Sequence, residues 1–133
     1  MTVFEHVEKF IDKFKFKEDF DTIERVDFAI NTLIAEEIQE LEVAFQNSDA
    51  EETIDALGDL AWLCIKLMYQ LDVDPQKVFD EIGRANITKV RGIKKGREHS
   101  GGYDVMKPLE WKAPSHKDNH GRLDEIFETK SAS

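Results

Sequence analysis

The chain has 133 residues, enough for one domain with a core of its own. Its 28 acidic residues outnumber 18 basic ones, and the net charge of −10 disfavours nucleic acid and anionic membrane as partners. No stretch holds the roughly 18 unbroken apolar residues of a membrane span, the start MTVFEHVEKF lacks a signal-peptide layout, and the lone Cys64 cannot form an internal disulfide, so a cytoplasmic protein is expected.

Helical periodicity dominates the first two thirds. Val3, Val7, Phe10, Ile11 and Phe14 predict a helix over Val3–Phe16. A second is predicted over Asp21–Asn47, with Ile23, Val26, Ile30, Leu33, Ile34, Leu41, Ala44 and Phe45 on one stripe. Asn47-Ser48-Asp49 breaks the pattern, and Ser48 with Glu51 resembles a capping box. The third helix, Ala50–Leu71, presents Ile54, Leu57, Leu60, Ala61, Cys64, Ile65, Met68 and Leu71 as one broad apolar face. Trp62 and Tyr69 extend that character round the far side, which calls for neighbours on more than one side. Asp74-Pro75 opens a fourth helix, Asp as cap and Pro at the first helical position, that ends near Val90. No strand-like alternation competes.

These elements predict an all-α protein, a four-helix bundle over residues 1–91 that carries the chemistry. From Gly92 an irregular, partly mobile tail is expected over 92–133, punctuated by Gly96, Gly101, Gly102, Pro108, Pro114 and Gly121. Val105, Met106, Leu109 and Trp111 would dock part of it on the bundle, Arg122–Lys130 would form a short helix, and Thr129–Ser133 would fray. Charge changes at the same point: acids lead 21 to 10 through Arg91, whereas bases lead 8 to 7 afterwards.

The acids are placed unusually. At about 100° per residue, Glu37 falls near the middle of the apolar stripe of the second helix, with Glu40 inside it and Glu36 at its edge. A carboxylate on a buried face is costly unless paired or metal-bound. On the third helix Glu52, Asp55 and Asp59 form a separate stripe that shares its side with Lys66 and Gln70. That stripe is either a solvated polar face or half of a cation site. If the two sets face each other they make an all-oxygen site, which suits Mg²⁺ or Mn²⁺ better than Zn²⁺. Two close Mg²⁺ ions can clamp a polyphosphate and activate water. A ferritin-like di-iron centre is excluded because no Glu-x-x-His pair exists, and no His precedes Asp as in the metal-binding His-Asp dipeptide of other nucleotide hydrolases.

Taken in order, these residues resemble the MazG-like all-α nucleoside triphosphate pyrophosphatases, a group that includes dimeric dUTPases and phosphoribosyl-ATP pyrophosphohydrolase. The signature Glu-Glu-x-x-Glu then Glu-x-x-Asp reads EEIQE at 36–40 and ETID at 52–55, followed by DALGDLAW with Asp59. ANITK at 85–89 resembles an Asn-x-x-Lys element of the family, and VMKPLEW at 105–111 with Pro114 resembles the tail of small phage and bacterial members. The resemblance covers roughly residues 3–115. The gap between the acidic motifs, 11 residues, is slightly shorter than the family's, which implies a tight turn at 47–49; Glu52 is chosen over Glu51 because it keeps the Glu-x-x-Asp spacing.

The resemblance implies hydrolysis of a nucleoside triphosphate to monophosphate and pyrophosphate. It implies that Glu37, Glu40, Glu52 and Asp55 hold two or more Mg²⁺ ions, replaceable by Mn²⁺. Asp59 would be a secondary ligand or a group that supports the ligands from behind, and Glu36 a further ligand or the base that orients water. Asn86 and Lys89 would contact sugar or phosphate, and Lys107 with Lys94 or Arg97 would close over the phosphates. Asn31, Phe4, His6 and Trp62 are candidates for base recognition. The tail points to a purine deoxynucleotide, dGTP first, with dUTP or phosphoribosyl-ATP as alternatives of the same fold. Family members form homodimers or homotetramers, and the apolar third helix agrees with such an interface. A non-enzymatic helical interaction module is the reading from another class.

Overall fold

The computed structural model describes residues 1–18, 20–101 and 104–132; Gly102 and Ser133, both part of the expected tail, lie outside the described residues. The fold is all-α with one small two-stranded ladder. Helix α1 spans Val3–Phe14, α2 Ile23–Phe28, α3 Ala35–Gln46, α4 Ala50–Gln70, α5 Pro75–Ile87 and α6 Leu123–Ala132. Strands β1, Val90–Gly92, and β2, Asp104–Met106, pair antiparallel with Arg91 opposite Val105. No helix among the described residues is long and apolar enough to cross a membrane. Contacts divide the chain into two units, residues 1–75 with 120–133, and residues 76–119.

In the first unit, the core begins where α1 meets α4. Val7 and Ile11 of α1 pack against Ile65 of α4, with Phe4, Trp62 and Tyr69 around them. Phe10 meets the Trp62 ring edge-on, centroids 5.5 Å apart, and continues into the Phe14 and Phe16 rings. Polar caps set the helix starts: Thr2 Oγ1 accepts from the Glu5 amide and Thr22 Oγ1 from that of Arg25. Helix α4 is capped by Asp49, whose carboxylate accepts from the Glu52 amide at 3.0 Å. The expected Ser48–Glu51 box is therefore corrected: Ser48 lies at φ 54 in the left-handed region and closes the turn, leaving the cap to the next residue.

The second helix is also corrected. Between α2 and α3 the chain winds as a π-helix over Ala29–Ile34, so residues 23–46 form one continuous helix that widens over that stretch. A π turn bonds i to i+5 and so shifts the phase of everything beyond it. One stripe extrapolated at 100° per residue cannot hold on both sides. Val26 and Ala44 are buried as expected, whereas Ile30 is exposed and Phe45 is 74% exposed. The broad face of α4 is likewise only half covered: Ile65 is buried, but Ile54 is 68% exposed and Leu57 lies half out.

Helix α6 is held by a clasp at its start. Gln70 donates through Nε2 to the Phe16 carbonyl at 2.8 Å. The Arg122 guanidinium donates to the carbonyls of Gln70, at 3.1 Å, and Phe20, and sits 3.4 Å from the Asp72 carboxylate. The Arg122 amide donates to the Leu71 carbonyl at 2.8 Å.

In the second unit, the segment after the ladder is fixed to α5. The Trp111 indole N–H donates to the Ala85 carbonyl at 2.7 Å. Arg84 reaches the carbonyls of Lys112 and Ala113, and Glu81 pairs with Arg84 at 2.8 Å while accepting from the Ser115 amide. The β1–β2 ladder went unforeseen because three-residue strands are too short to show alternation. Trp111 docks as expected, but Leu109 is fully exposed, carried outward on the turn that the Trp111 amide closes on the Pro108 carbonyl.

The clasp yields a test. Gly121 sits at φ 56, and a Cβ there would lie 2.0 Å from the Leu71 carbonyl oxygen. Gly121→Ala should destabilise the protein by about 2 kcal/mol or more, from the left-handed backbone and the collision with main chain. Urea titration followed by circular dichroism measures it; an unchanged midpoint would remove the clasp from the account.

Candidate active site

The six acids singled out in the sequence all lie on the α3–α4 hairpin of the first unit. Its connection is only Asn47–Asp49, so the two helices run back along each other and their acidic stripes meet. Glu37 is half-buried, and its Oε1 is fully buried with no hydrogen-bond partner. Such an atom costs roughly 1–3 kcal/mol unless something satisfies it. Glu36, Glu40, Glu52, Asp55 and Asp59 are exposed as residues. Among the described residues none of the six has an ion-pair partner.

Their effect on one another is visible in their acidities. Burial pushes the Glu37 carboxyl above the ordinary carboxylate range, and a hydrogen bond shared with Glu40 and the charges of Glu40, Asp59 and Asp55 push it further. Asp59 is raised by partial desolvation first, then by the charges of Asp55 and Glu40 and a hydrogen bond with Asp55. Acids from both helices thus share one field. Beside them a cavity of about 440 Å³ is lined by Glu36, Gln39, Glu40, Asn47, Asp49 and Glu52. Glu40 belongs to both groups and links them.

A divalent cation fits this donor set. It is all oxygen, negatively charged, without a basic counter-ion, and includes a buried carboxylate oxygen lacking a partner. Among the described residues no three His, Cys, Asp or Glu side chains form a ready-made metal cage.

The other expected contacts fall in different places. Asn31 donates to Asp27 Oδ1 at 2.7 Å and lines an apolar groove with Ile30, Leu67 and Phe127. Trp62 and Phe4 are packed into the α1–α4 core, and His6 is exposed. In the second unit, Asn86 is exposed near the end of α5. The Lys89 and Lys107 ammonium groups lie 5.3 and 4.9 Å from the centre of the Trp111 ring. Lys94 sits 3.7 Å from the Asp104 carboxylate, which also takes Arg97 at 2.7 Å, so both of these cations are already paired.

Sequence reasoning missed a second cavity of the first unit, about 390 Å³, walled by Phe16, Phe20, Phe28 and Leu33 and reached by Lys66. Its one available signal was the place of Lys66 on the same side of α4 as Asp55 and Asp59.

No curated protein matches the chain. The sequence model of the phosphoribosyl-ATP pyrophosphohydrolase family matches residues 5–86, a span that holds most of α1, all of α2 to α4, most of α5 and all six acids. With that match over more than half its length, the chain belongs to the phosphoribosyl-ATP pyrophosphohydrolase family, within the MazG-like superfamily of nucleotide pyrophosphohydrolases.

Proposed function

We propose that this protein is a Mg²⁺-dependent nucleoside triphosphate pyrophosphohydrolase that converts a (d)NTP and water to the monophosphate and pyrophosphate. The observation that carries this reading is the unpartnered, buried Glu37 oxygen amid acids from two packed helices. A solvated polar face would not bury a carboxylate oxygen that lacks a hydrogen-bond partner. In this reading Glu37, Glu40, Glu52 and Asp55 hold two or more Mg²⁺ ions, with Asp59 as a further ligand and Mn²⁺ as a substitute. When bound, the ions supply charge neutralisation for the polyphosphate and lower the pKa of attacking water.

The chain's own residues do the rest. Helices α3 and α4 fix the carboxylates on a rigid frame and hold the phosphate chain in one orientation. Glu36, exposed at the mouth of the acidic cavity, accepts a proton from water. Lys89 and Lys107, each with its ammonium near the Trp111 ring, are cations that suit an anionic phosphate as counter-charge. Asn86 offers an amide to the sugar. The preferred substrate is a purine deoxynucleotide, dGTP first. Phosphoribosyl-ATP is the second reading, favoured by the family match, and it calls for the same cleavage between α and β phosphates.

We also infer a homo-oligomer, a dimer or a tetramer. Ile38, Val43, Phe45, Ile54 and Leu57 of α3 and α4 are all exposed, more apolar surface than a lone helical hairpin keeps in water. A second copy would complete the half-covered faces.

Two experiments follow. Pyrophosphate release should require Mg²⁺ or Mn²⁺ and vanish in EDTA. Glu37→Gln should lower turnover at least about 100-fold. The metal should raise the melting temperature of the native protein by several degrees. In Glu37→Gln that increment should shrink while the metal-free melting temperature rises, because a repelling charge is gone. Full turnover by the Gln variant would overturn the ligand assignment. Separately, sedimentation should give a dimer or larger for the native chain. A lower mass is expected for the Ile54→Lys, Leu57→Asp double variant, and a native monomer would refute the assembly.

A further inference from the structure

The cavity beside Lys66 stands apart from the acidic groove yet belongs to the same unit and the same helices. Leu33, in its wall, precedes Glu37 by four residues, so the two share a face about one turn apart. Lys66 follows Asp59 by seven residues, a rise of about 10 Å along α4. The cavity thus lies about two helical turns from Asp59, on the side of α4 that carries the acids. Ala29 and Leu33 come from the π-helical stretch, whose wider turn leaves room there.

The lining suits a flat heterocycle better than a phosphate. Phe16, Phe20 and Phe28 offer rings, and Phe28 is 54% exposed. Around the cavity Lys15 and Arg25 are balanced by Glu18 and Glu24, so no concentrated positive field awaits an anion. Gln70 has its amide committed to the Phe16 carbonyl. Lys66 remains as the directed polar group. It is half-buried, its ammonium lies 4.9 Å from the centre of the Phe16 ring, and among the described residues it has no carboxylate partner. Burial lowers its pKa, as expected for a cation without a counter-charge.

We propose that this cavity holds the base of the nucleotide, and that Lys66 selects a purine bearing a carbonyl at position 6 over one bearing an amino group there. An ammonium group is a donor with no acceptor capacity. It bonds the O6 of guanine or hypoxanthine and meets only another donor in the amino group of adenine. The exposed ring of Phe28 supplies the stacking surface, which tolerates any base, while Phe16, stacked on Phe14, holds Lys66 in place and leaves the choice to it. This inference rests on the hydrolase reading above and adds the residue that reads the base.

The test compares dITP with dATP, which differ at position 6 and the adjoining ring proton. Pyrophosphate release is measured for the native protein, Lys66→Met and Lys66→Arg, with circular dichroism to establish that each variant folds. The binding of dIMP and dAMP, which have no scissile anhydride, is measured by calorimetry on the same proteins. The native kcat/KM should favour dITP by about tenfold or more. Lys66→Met should lose most of that preference, and Lys66→Arg, still a donor, should keep it. A native enzyme indifferent to position 6, or a Met variant with an unchanged ratio, overturns the role of Lys66 and leaves the hydrolase reading standing. If no triphosphate is cleaved, the monophosphates decide. A Lys66-dependent preference for dIMP upholds the cavity while the hydrolase reading falls, and equal binding overturns the cavity too.

Discussion

The structure of the first unit turns on electrostatic repulsion accepted across the α3–α4 contact. Two like charges about 4 Å apart at a protein surface repel by about 4 kcal/mol at an effective dielectric constant of 20. Here acids from two helices face each other without a basic neighbour, and their mutual influence appears in the raised pKa of Glu37 and Asp59. A fold tolerates such an arrangement only if packing elsewhere supports it. That support comes from the Val7–Ile11–Ile65 core, the Phe10–Trp62 contact and the Asp49 cap, the last worth about 1 kcal/mol. The same cap fixes where α4 begins and so which of its residues face α3.

The π-helical stretch is the second constraint. It lies immediately before the acidic motif, in the helix that carries Glu36, Glu37 and Glu40. By changing phase between residues 29 and 34 it lets α2 and α3 face different neighbours while remaining one rod. Val26 and Ala44 are buried on either side of the break, whereas Ile30 and Phe45, which one uninterrupted stripe would also cover, are exposed. The widened turn also contributes Ala29 and Leu33 to the cavity at Lys66, so one local irregularity serves both the aim of the acids and the space beside them.

Much of this was legible in the sequence, and the limits have physical causes. Helix identities followed from periodicity because each helix packs on one dominant face. The acidic constellation was legible because Glu37 broke an apolar stripe, and the structure finds its Oε1 buried and unpartnered. The π turn left no trace, since Ala-Ile-Asn-Thr-Leu-Ile is ordinary helical sequence and the extra residue per turn is chosen by packing. The exposure of Phe45, Ile54 and Leu57 was invisible for the opposite reason: hydrophobicity marks a surface that becomes buried, without saying whether its cover is in the same chain. Lys94 was a plausible phosphate ligand until the ladder placed Asp104 beside it, a pairing ten residues apart that composition does not reveal.

Charge ties these observations together. A chain carrying −10 overall, with the whole excess of acids before residue 92, repels a free polyphosphate. The proposed activity is consistent with that field only if the substrate arrives with its compensating cations, so that the acids contact metal and the metal contacts the phosphates. Under that condition the acidic groove discriminates by charge state, accepting a metal–nucleotide complex and rejecting the bare anion. It does not discriminate among bases, because every nucleoside triphosphate presents the same phosphates. Base choice must then fall to groups outside the groove. In the first unit the side chain suited to it in burial, direction and donor chemistry is Lys66, set two helical turns from Asp59 against aromatic walls that do not themselves choose. The proposed division of labour, acids for the reacting end and one cation for the identifying end, draws on the placing of Asp59 and Lys66 on the same face of α4.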